Sequence, residues 1–293
     1  MTRQEVSQQI GSREFSVWEI IKLSGGLLFE HIGKWLLLAA IVFLPTGFIL
    51  QYAAMQLPLN QLISLMQGEN LETLYTMDWS PYLIYYGLQM GMNLIWIYCN
   101  LAVAVYTDRW LQSERQEMRF GEMLLTAVKR WPAGMLMPIL LLFAVLAAAM
   151  LTILVGTFLL PLMMILLIAL TIGMTMVYYM GVTATAIREK AGASACRYAV
   201  NVMRRRRGKT LGVVLIFQLV SAAVAYLLEM LTSSFVVLAG NVWLYSLVSA
   251  AVSVIAALST VLLQIGITIH FINQEQLGLM EERAGHPELP GDF

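Results

Sequence analysis

Charged side chains are scarce in this chain. Asp, Glu, Lys and Arg make up 12% of its 293 residues, whereas a soluble globular domain has about 25%. Hydrophobic residues make up 59%, and residues 133–187 contain no charge at all. This composition excludes an ordinary soluble domain and predicts a membrane protein.

Residues that carry out chemistry are also few. The two cysteines, Cys99 and Cys196, are too far apart in the sequence to form a CxxC redox or metal pair. The histidines His31, His270 and His286 lack the HExxH spacing of a zinc protease, and the chain has no Walker glycine loop. We therefore expect no enzymatic activity, no metal and no cofactor.

Six apolar stretches are long enough to cross a bilayer, whose hydrocarbon core of about 30 Å needs about 20 helical residues. Only a helix satisfies its own backbone hydrogen bonds in hydrocarbon, so each stretch is predicted to be helical. The long uncharged run is divided in two by the turn residues of "VGTFLLP", 155–161. The sequence thus predicts an all-α polytopic membrane protein, with residues 1–34 before the first span and a polar tail, 272–293, after the last. The predicted spans are residues 35–55, 81–106, 133–155, 158–181, 210–231 and 242–270.

The basic residues are unevenly distributed, although the chain as a whole balances 18 basic against 18 acidic residues. Its neutrality gives no overall attraction for nucleic acid, and we expect no such partner. Every Lys and Arg lies in residues 1–34, in the second or fourth connection between spans, or after the sixth span. Because cytoplasmic loops retain basic residues, we expect both termini and these two connections on the cytoplasmic side of the bacterial inner membrane.

A basic amphipathic segment precedes each odd-numbered span, at residues 13–35, 119–131 and 194–209. Apolar residues recur in each at intervals of three and four, which is the pattern of a one-sided helix. Such a helix lies in the plane of the membrane, with its apolar side in the acyl boundary and its cations among anionic headgroups. The candidate headgroup ligands are Lys22, Lys34, Arg119, Lys129, Arg130, Arg197, Arg204, Arg205, Arg206, Arg207 and Lys209.

Polar residues inside the predicted spans form a second set of candidates, since an intramembrane polar group is costly unless it is partnered. They are Gln89, Asn93 and Asn100 on span two, Gln218 and Glu229 on span five, and Gln264 on span six. The span-two residues are four and seven positions apart and share one helix face. Two interpretations stay open, namely hydrogen bonds between helices or a polar cavity for a lipid headgroup or small solute. Glu229 is either an interfacial carboxylate or a buried proton-coupling acid.

Three segments resemble a known bacterial family of six-span membrane proteins. They are the aromatic-led entry at 15–38, its weaker echo at 120–131, and a small-residue helix that runs through a basic patch at 192–215. The family comprises YciC-like proteins and the membrane domain attached to some glycerophosphodiester phosphodiesterases. The resemblance implies a helical membrane protein that acts in lipid or envelope homeostasis. Only about twenty polar residues follow Asn273, so we expect no phosphodiesterase domain.

These observations favour a non-enzymatic integral membrane protein that senses, organises or moves lipids through cationic interfacial helices. Its expected partners are membrane lipids with anionic headgroups. The alternative is a transporter permease component served by a separate ATPase subunit, or a small-solute channel lined by the polar face of span two. Gly87 and Gly91 form a GxxxG that allows close helix packing, so a homo-oligomer is a further hypothesis.

Replacing Arg204, Arg205, Arg206 and Arg207 together with glutamine is expected to loosen the orientation of spans five and six. Each arginine would cost about 2.5 to 3.5 kcal/mol at the bilayer centre, whereas it gains about 1 kcal/mol near an anionic leaflet. Cysteine labelling from either side of the membrane measures the orientation. An unchanged topology in the variant would show that the cluster is not an anchor.

Overall fold

The computed structural model describes residues 3–57, 78–112, 118–156, 160–204, 206–239 and 241–285. Within these residues the structure is helical and contains no strand, so the predicted all-α class is confirmed. The helices are α1 Arg3–Gln9, α2 Val17–Glu30, α3 Ile32–Ala54, α4 Ser80–Gln112, α5 Phe120–Gly156, α6 Leu160–Arg188, α7 Gly192–Arg204, α8 Arg207–Ala239 and α9 Val242–Gly285.

Five helical stretches in the described part of the chain are long and apolar enough to cross a membrane, which is consistent with a multi-pass membrane protein. The predicted third span, residues 133–155, lies within α5, and the total of six spans stays a prediction. α5 ends at Gly156 and α6 begins at Leu160, where the sequence predicts a turn. Residues 157–159 of that turn lie outside the described residues. The five stretches are Ile32–Ala54, Ser80–Gln112, Ile168–Arg188, Arg207–Thr232 and Val242–Glu281.

Two helices are much longer than a membrane requires. α5 has 37 residues and α9 has 44, which at about 1.5 Å per residue gives lengths of about 55 and 66 Å. The hydrocarbon core measures only about 30 Å. The sequence places the end of span six at residue 270, where the apolar run stops, but α9 continues to Gly285. Its continuation contains no proline and is rich in Gln, Glu, Leu and Met, which favour a helix.

The second amphipathic segment, residues 119–131, does not form a helix of its own. It begins α5, which continues through Pro132 and Pro138 to Gly156. The predicted interfacial helix at this position is therefore the first part of a longer helix, because one-sided periodicity alone does not show where a helix ends. The segments at 13–35 and 194–209 do contain separate helices, α2 and α7.

A capping box holds the N-terminus of α2. Ser16 Oγ accepts a hydrogen bond from the backbone N–H of Glu19, and the Glu19 carboxylate accepts one from the backbone N–H of Ser16 at 2.8 Å. The Arg13 guanidinium pairs with the same carboxylate at 2.6 Å. The hydrogen bond from Arg13, followed by that from the Ser16 backbone, lowers the pKa of Glu19 to about 2. Local side chains thus satisfy the first turn of α2.

The chain divides into two compact units. The first comprises Met1–Trp35, Ile97–Ala222 and Ser259–Phe293. A helix that is buried on every side lies inside a core. The first unit therefore contains a dense helical core, whose fully buried stretches are residues 99–107 of α4, 180–187 of α6 and 263–275 of α9.

The second unit, Leu36–Trp96 with Ala223–Leu258, contains a cluster of aromatic side chains. The rings of Phe43 and Trp96 stack with their centroids 5.4 Å apart. Trp96 Nε1 donates a hydrogen bond to Thr46 Oγ1 at 2.9 Å, so the polar edge of the indole is satisfied within an apolar surrounding.

A substitution of Gly266 on α9 tests how closely the helices of the first unit pack. A Cβ at this position would overlap the ring of Phe217 on α8, so Gly266→Ala is expected to destabilise the protein by about 1 to 3 kcal/mol through overpacking. Gly212 on α8 is the matched control, since a Cβ there meets nothing within 4 Å. Gly212→Ala is expected to be neutral or to stabilise by up to about 1 kcal/mol through helix propensity. Thermal unfolding in detergent micelles measures both variants, and equal stabilities would contradict the close contact at Gly266.

Candidate functional site

The predicted headgroup cations differ in how far they reach into solvent. Lys34, Arg130 and Lys209 are half-buried, and Arg205 lies outside the described residues. The other described candidates have exposed side chains. They are Lys22, Arg119, Lys129, Arg197, Arg204, Arg206 and Arg207.

Two cations of the arginine-rich segment pair with an acidic residue of the N-terminal segment. Lys209 Nζ donates to Glu14 Oε1 at 2.9 Å and to the backbone oxygen of Phe15, and Arg206 Nη1 lies 3.1 Å from Glu14 Oε2. Burial alone would raise the pKa of Glu14, but the hydrogen bond from Lys209 and the charges of Lys209 and Arg206 prevail and lower it. The structure thus shows Lys209 and Arg206 in ion pairs within the protein, where the sequence predicts lipid contacts.

Two further candidates are also held by side chains of the protein. Lys34 Nζ donates to Tyr106 Oη at 2.9 Å and lies 5.0 Å from the centroid of that ring. Arg130 Nη2 donates to Glu189 Oε1 at 2.8 Å. Cations that are occupied in this way are weaker candidates for an external anion than the exposed ones.

Asn273 on α9 binds the segment that joins α1 to α2. Its Oδ1 accepts a hydrogen bond from the Phe15 backbone N–H at 3.1 Å, and its Nδ2 donates to the backbone oxygens of Ile10 at 2.6 Å and Arg13 at 2.9 Å. The side chain is fully buried. The sequence interpretation missed this residue because a single Asn at the end of an apolar run belongs to no motif.

Glu275, two residues further along α9, is a buried carboxylate with only 6% of its surface exposed. Arg188 of α6 donates to it from Nε at 2.8 Å and from Nη2 at 2.6 Å, the paired geometry typical of a strong ion pair. Tyr198 of α7 also donates to Glu275 Oε1. Burial, together with this bond, raises the pKa of Tyr198 to about 12. One carboxylate therefore connects three helices, and the sequence interpretation missed it as well.

The amphipathic helix α7 turns its apolar face toward the protein. Ala195, Ala199 and Met203, which recur every four residues, are buried, and α7 packs against α5 and α6. In α2, Ile20 and Leu27 are buried in the same way. Ala199 and Met203, which the sequence assigns to the lipid-facing side of α7, therefore pack against protein, because an apolar stripe fits a protein neighbour as well as lipid. For α2 the contact with the acyl boundary stays a prediction, since Trp18 has 72% of its surface exposed.

The intramembrane polar candidates do not share one environment. Gln264 is fully buried, and its Nε2 donates to Thr183 Oγ1 at 2.9 Å and to Thr268 Oγ1 at 3.3 Å. The side chain of Asn100 interacts with Tyr178, and that of Gln218 interacts with Tyr179.

For Gln264 the structure thus shows the first interpretation, a hydrogen bond between helices. Asn93 and Glu229 are exposed and Gln89 is half-buried. Gln89 and Asn93 belong to the second unit, whereas Asn100 belongs to the first. A continuous polar path along span two stays a prediction.

A groove of about 440 Å³ lies between α6, α7 and α8 in the first unit. Its walls are formed by glycine and apolar side chains, and Arg207 is the charged residue that lines it. Among the described residues, no three His, Cys, Asp or Glu side chains are close enough together to hold a metal ion. The groove thus combines apolar walls with a cation.

Comparisons of the chain with protein-family models, with curated proteins and with solved structures find no match. The resemblance of residues 15–38, 120–131 and 192–215 to YciC-like membrane proteins therefore stays a prediction. The function is inferred from the charges, cavities and exposed surfaces of the chain itself.

Asn273→Leu is expected to release the segment between α1 and α2. The substitution preserves the approximate size of the side chain but leaves the Phe15 N–H and the Ile10 and Arg13 oxygens without their partner. Each unsatisfied buried group costs about 1 to 3 kcal/mol, so amide exchange in residues 10–15 should accelerate about tenfold or more. Hydrogen–deuterium exchange with mass spectrometry measures this. Asn201→Leu, at an exposed position of α7, is the control, and identical exchange in the two variants would contradict the role of Asn273.

Proposed function

We propose that this chain is a non-enzymatic multi-pass protein of the bacterial cytoplasmic membrane, with both termini in the cytoplasm, that binds anionic lipids in the service of lipid or envelope homeostasis. The observation that carries the proposal is the set of exposed cations. They lie on α2, at the start of α5, on α7 and at the start of α8, each near the beginning of a long apolar helix. Basic residues at this position meet the anionic headgroups of the inner leaflet.

The apolar surface of the long helices supports the same location. Leu83 on α4, Ile165 on α6 and Leu219 on α8 have 71%, 63% and 69% of their surface exposed. Exposed apolar residues in such numbers are unfavourable in water and favourable in hydrocarbon. Counting α5 as the third span makes six crossings, the number that the hydropathy of the sequence predicts. An even number puts both termini on one side, and the basic residues near them favour the cytoplasmic side.

The packing of α7 against protein fixes the positions of the cations on this helix. Because Ala195, Ala199 and Met203 pack against protein, the helix does not depend on lipid to hold it in place. Arg197 and Arg204 extend from its exposed side. A helix held by protein presents its charges in a fixed arrangement, which favours recognition of a headgroup over general adhesion to the membrane.

The test is the lipid preference of purified protein in nanodiscs made of equal parts of phosphatidylcholine and phosphatidylglycerol. Native mass spectrometry of the ejected complexes should show enrichment of phosphatidylglycerol around the wild-type chain. In the double variant Arg197→Gln with Arg204→Gln, the preference for phosphatidylglycerol should be about 30-fold weaker, since each cation near an anionic surface contributes about 1 kcal/mol. High salt should have the same effect by screening.

The matched control changes the net charge equally but removes cations that the protein itself holds. Lys34→Gln with Arg130→Gln takes away side chains that bind Tyr106 and Glu189. Its lipid preference should stay near that of the wild type. A wild-type chain with no preference for phosphatidylglycerol would overturn the proposal, and an equal loss in both double variants would show an effect of net charge alone.

A further inference from the structure

The groove between α6, α7 and α8 has the dimensions of a ligand site. Its walls are Gly173 and Met176 on α6, Val200 and Met203 on α7, and Leu211 on α8. The volume of about 440 Å³ falls within the range of about 300 to 1,000 Å³ that is usual for sites of small molecules. Apolar walls of this kind exclude a hydrophilic solute and suit a hydrocarbon chain.

Glycine keeps the groove open on the α6 side. A Cβ added at Gly173 would meet no heavy atom within 4 Å, so the space next to this residue is unfilled. The methionines on two of the walls have flexible, polarizable side chains that adapt to an occupant of irregular shape.

The groove changes from apolar to cationic along its length. Arg207, which lines it, is exposed and is the first residue of α8. Its guanidinium offers paired N–H donors that match the oxygens of a phosphate. The N-terminus of α8 adds the partial positive charge of a helix dipole at the same place.

The position of the groove along the helices fits an occupant that enters from the membrane. Gly173 lies in the membrane-length stretch Ile168–Arg188, and Arg207 begins the stretch Arg207–Thr232. On the same helices, Ile168 and Ile216 are exposed with 57% and 38% of their surface accessible. The walls on α6 and α8 therefore lie on membrane-length apolar stretches, while the cation lies at the end of one of them.

From this arrangement we infer that the groove holds one acyl chain of an anionic phospholipid whose phosphate is bound by Arg207. The inference rests on the proposed lipid-binding function and assigns it a specific site. Charge complementarity selects the occupant, because an anionic phospholipid joins a hydrocarbon chain to a phosphate and, unlike phosphatidylcholine, has no cation beside that phosphate to repel Arg207. The occupant differs from the surrounding bilayer lipid in being held by a cavity as well as by surface charge.

The experiment compares two variants that damage the groove with two matched controls. Gly173→Leu fills the open space and is expected to fold, since leucine is the better helix former and its Cβ meets no atom. Arg207→Gln removes the cation. The controls are Gly87→Leu, at another exposed helix position where a Cβ meets nothing within 4 Å, and Arg130→Gln, an arginine that pairs with Glu189 and does not line the groove.

The readout is the phosphatidylglycerol that stays bound when protein from nanodiscs of phosphatidylcholine and phosphatidylglycerol is exchanged into detergent. Arg207→Gln should lower the affinity of this retained lipid about tenfold, the usual loss for a bond to a charged group. Gly173→Leu should lower the affinity to a similar extent, because the leucine fills the space of the acyl chain. The two controls should retain it as the wild type does. Retention by Gly173→Leu equal to that of the wild type would overturn the site.

A second measurement identifies the occupant without any substitution. A phosphatidylglycerol with a photoreactive group on one acyl chain should crosslink to peptides that contain Met176 or Val200 in the wild-type protein. Equal crosslinking by the phosphatidylcholine analogue would overturn the role of the anionic headgroup. Crosslinks between two copies of the chain at these residues would overturn the lipid as the occupant.

The outcomes separate this inference from the proposed function. In one outcome the wild-type chain enriches phosphatidylglycerol around it but retains none in detergent, or retains it equally after Gly173→Leu. This outcome supports the proposed function and contradicts the specific site. If the wild-type chain shows no enrichment of phosphatidylglycerol, both the proposed function and the site are contradicted.

Discussion

Burial of the Glu275 carboxylate constrains the first compact unit. A charge at this depth is stable only where it is paired and hydrogen-bonded, and Arg188 and Tyr198 supply those bonds. Because the two partners lie on α6 and α7, the carboxylate links both helices to α9. Once α7 is held in this position, its apolar face packs against α5 and α6. The outward direction of its arginines and the groove beside it both follow from that packing.

A second set of bonds fixes the start of α8 and the segment before α2. Asn273 satisfies backbone groups of residues 10–15, and Lys209 binds Glu14 and the backbone of Phe15. These partners are about two hundred residues or more apart in sequence, so the N-terminal segment is held in place by α8 and α9 and not only by its neighbours in sequence. Thr210 Oγ1 and His270 Nε2, 2.9 Å apart, add a bond between the same two helices.

The helices could be predicted from the sequence because an uncharged apolar run has few stable conformations in a membrane. Their ends were less predictable, since α9 continues to Gly285 on helix propensity after its apolar run has stopped. The amphipathic pattern of α7 was visible, but the pattern does not distinguish a protein neighbour from lipid. Asn273 and Glu275 could not be recognised, because their partners are distant in sequence and belong to no motif. The groove depends on Gly173, whose role arises only from what surrounds it.

Arg206 and Arg207 are adjacent and chemically identical, yet the fold places them in different surroundings. Arg206 lies 3.1 Å from the carboxylate of Glu14, so an incoming phosphate has to compete with an intramolecular anion that is already in place. The affinity of Arg206 for an external anion is reduced by the free energy of that pair. Arg207 lines the groove. Under the proposed lipid-binding function, Glu14 is a built-in competitor that lowers the affinity of Arg206 for an external anion, so the segment is a graded series of sites instead of a uniform positive patch.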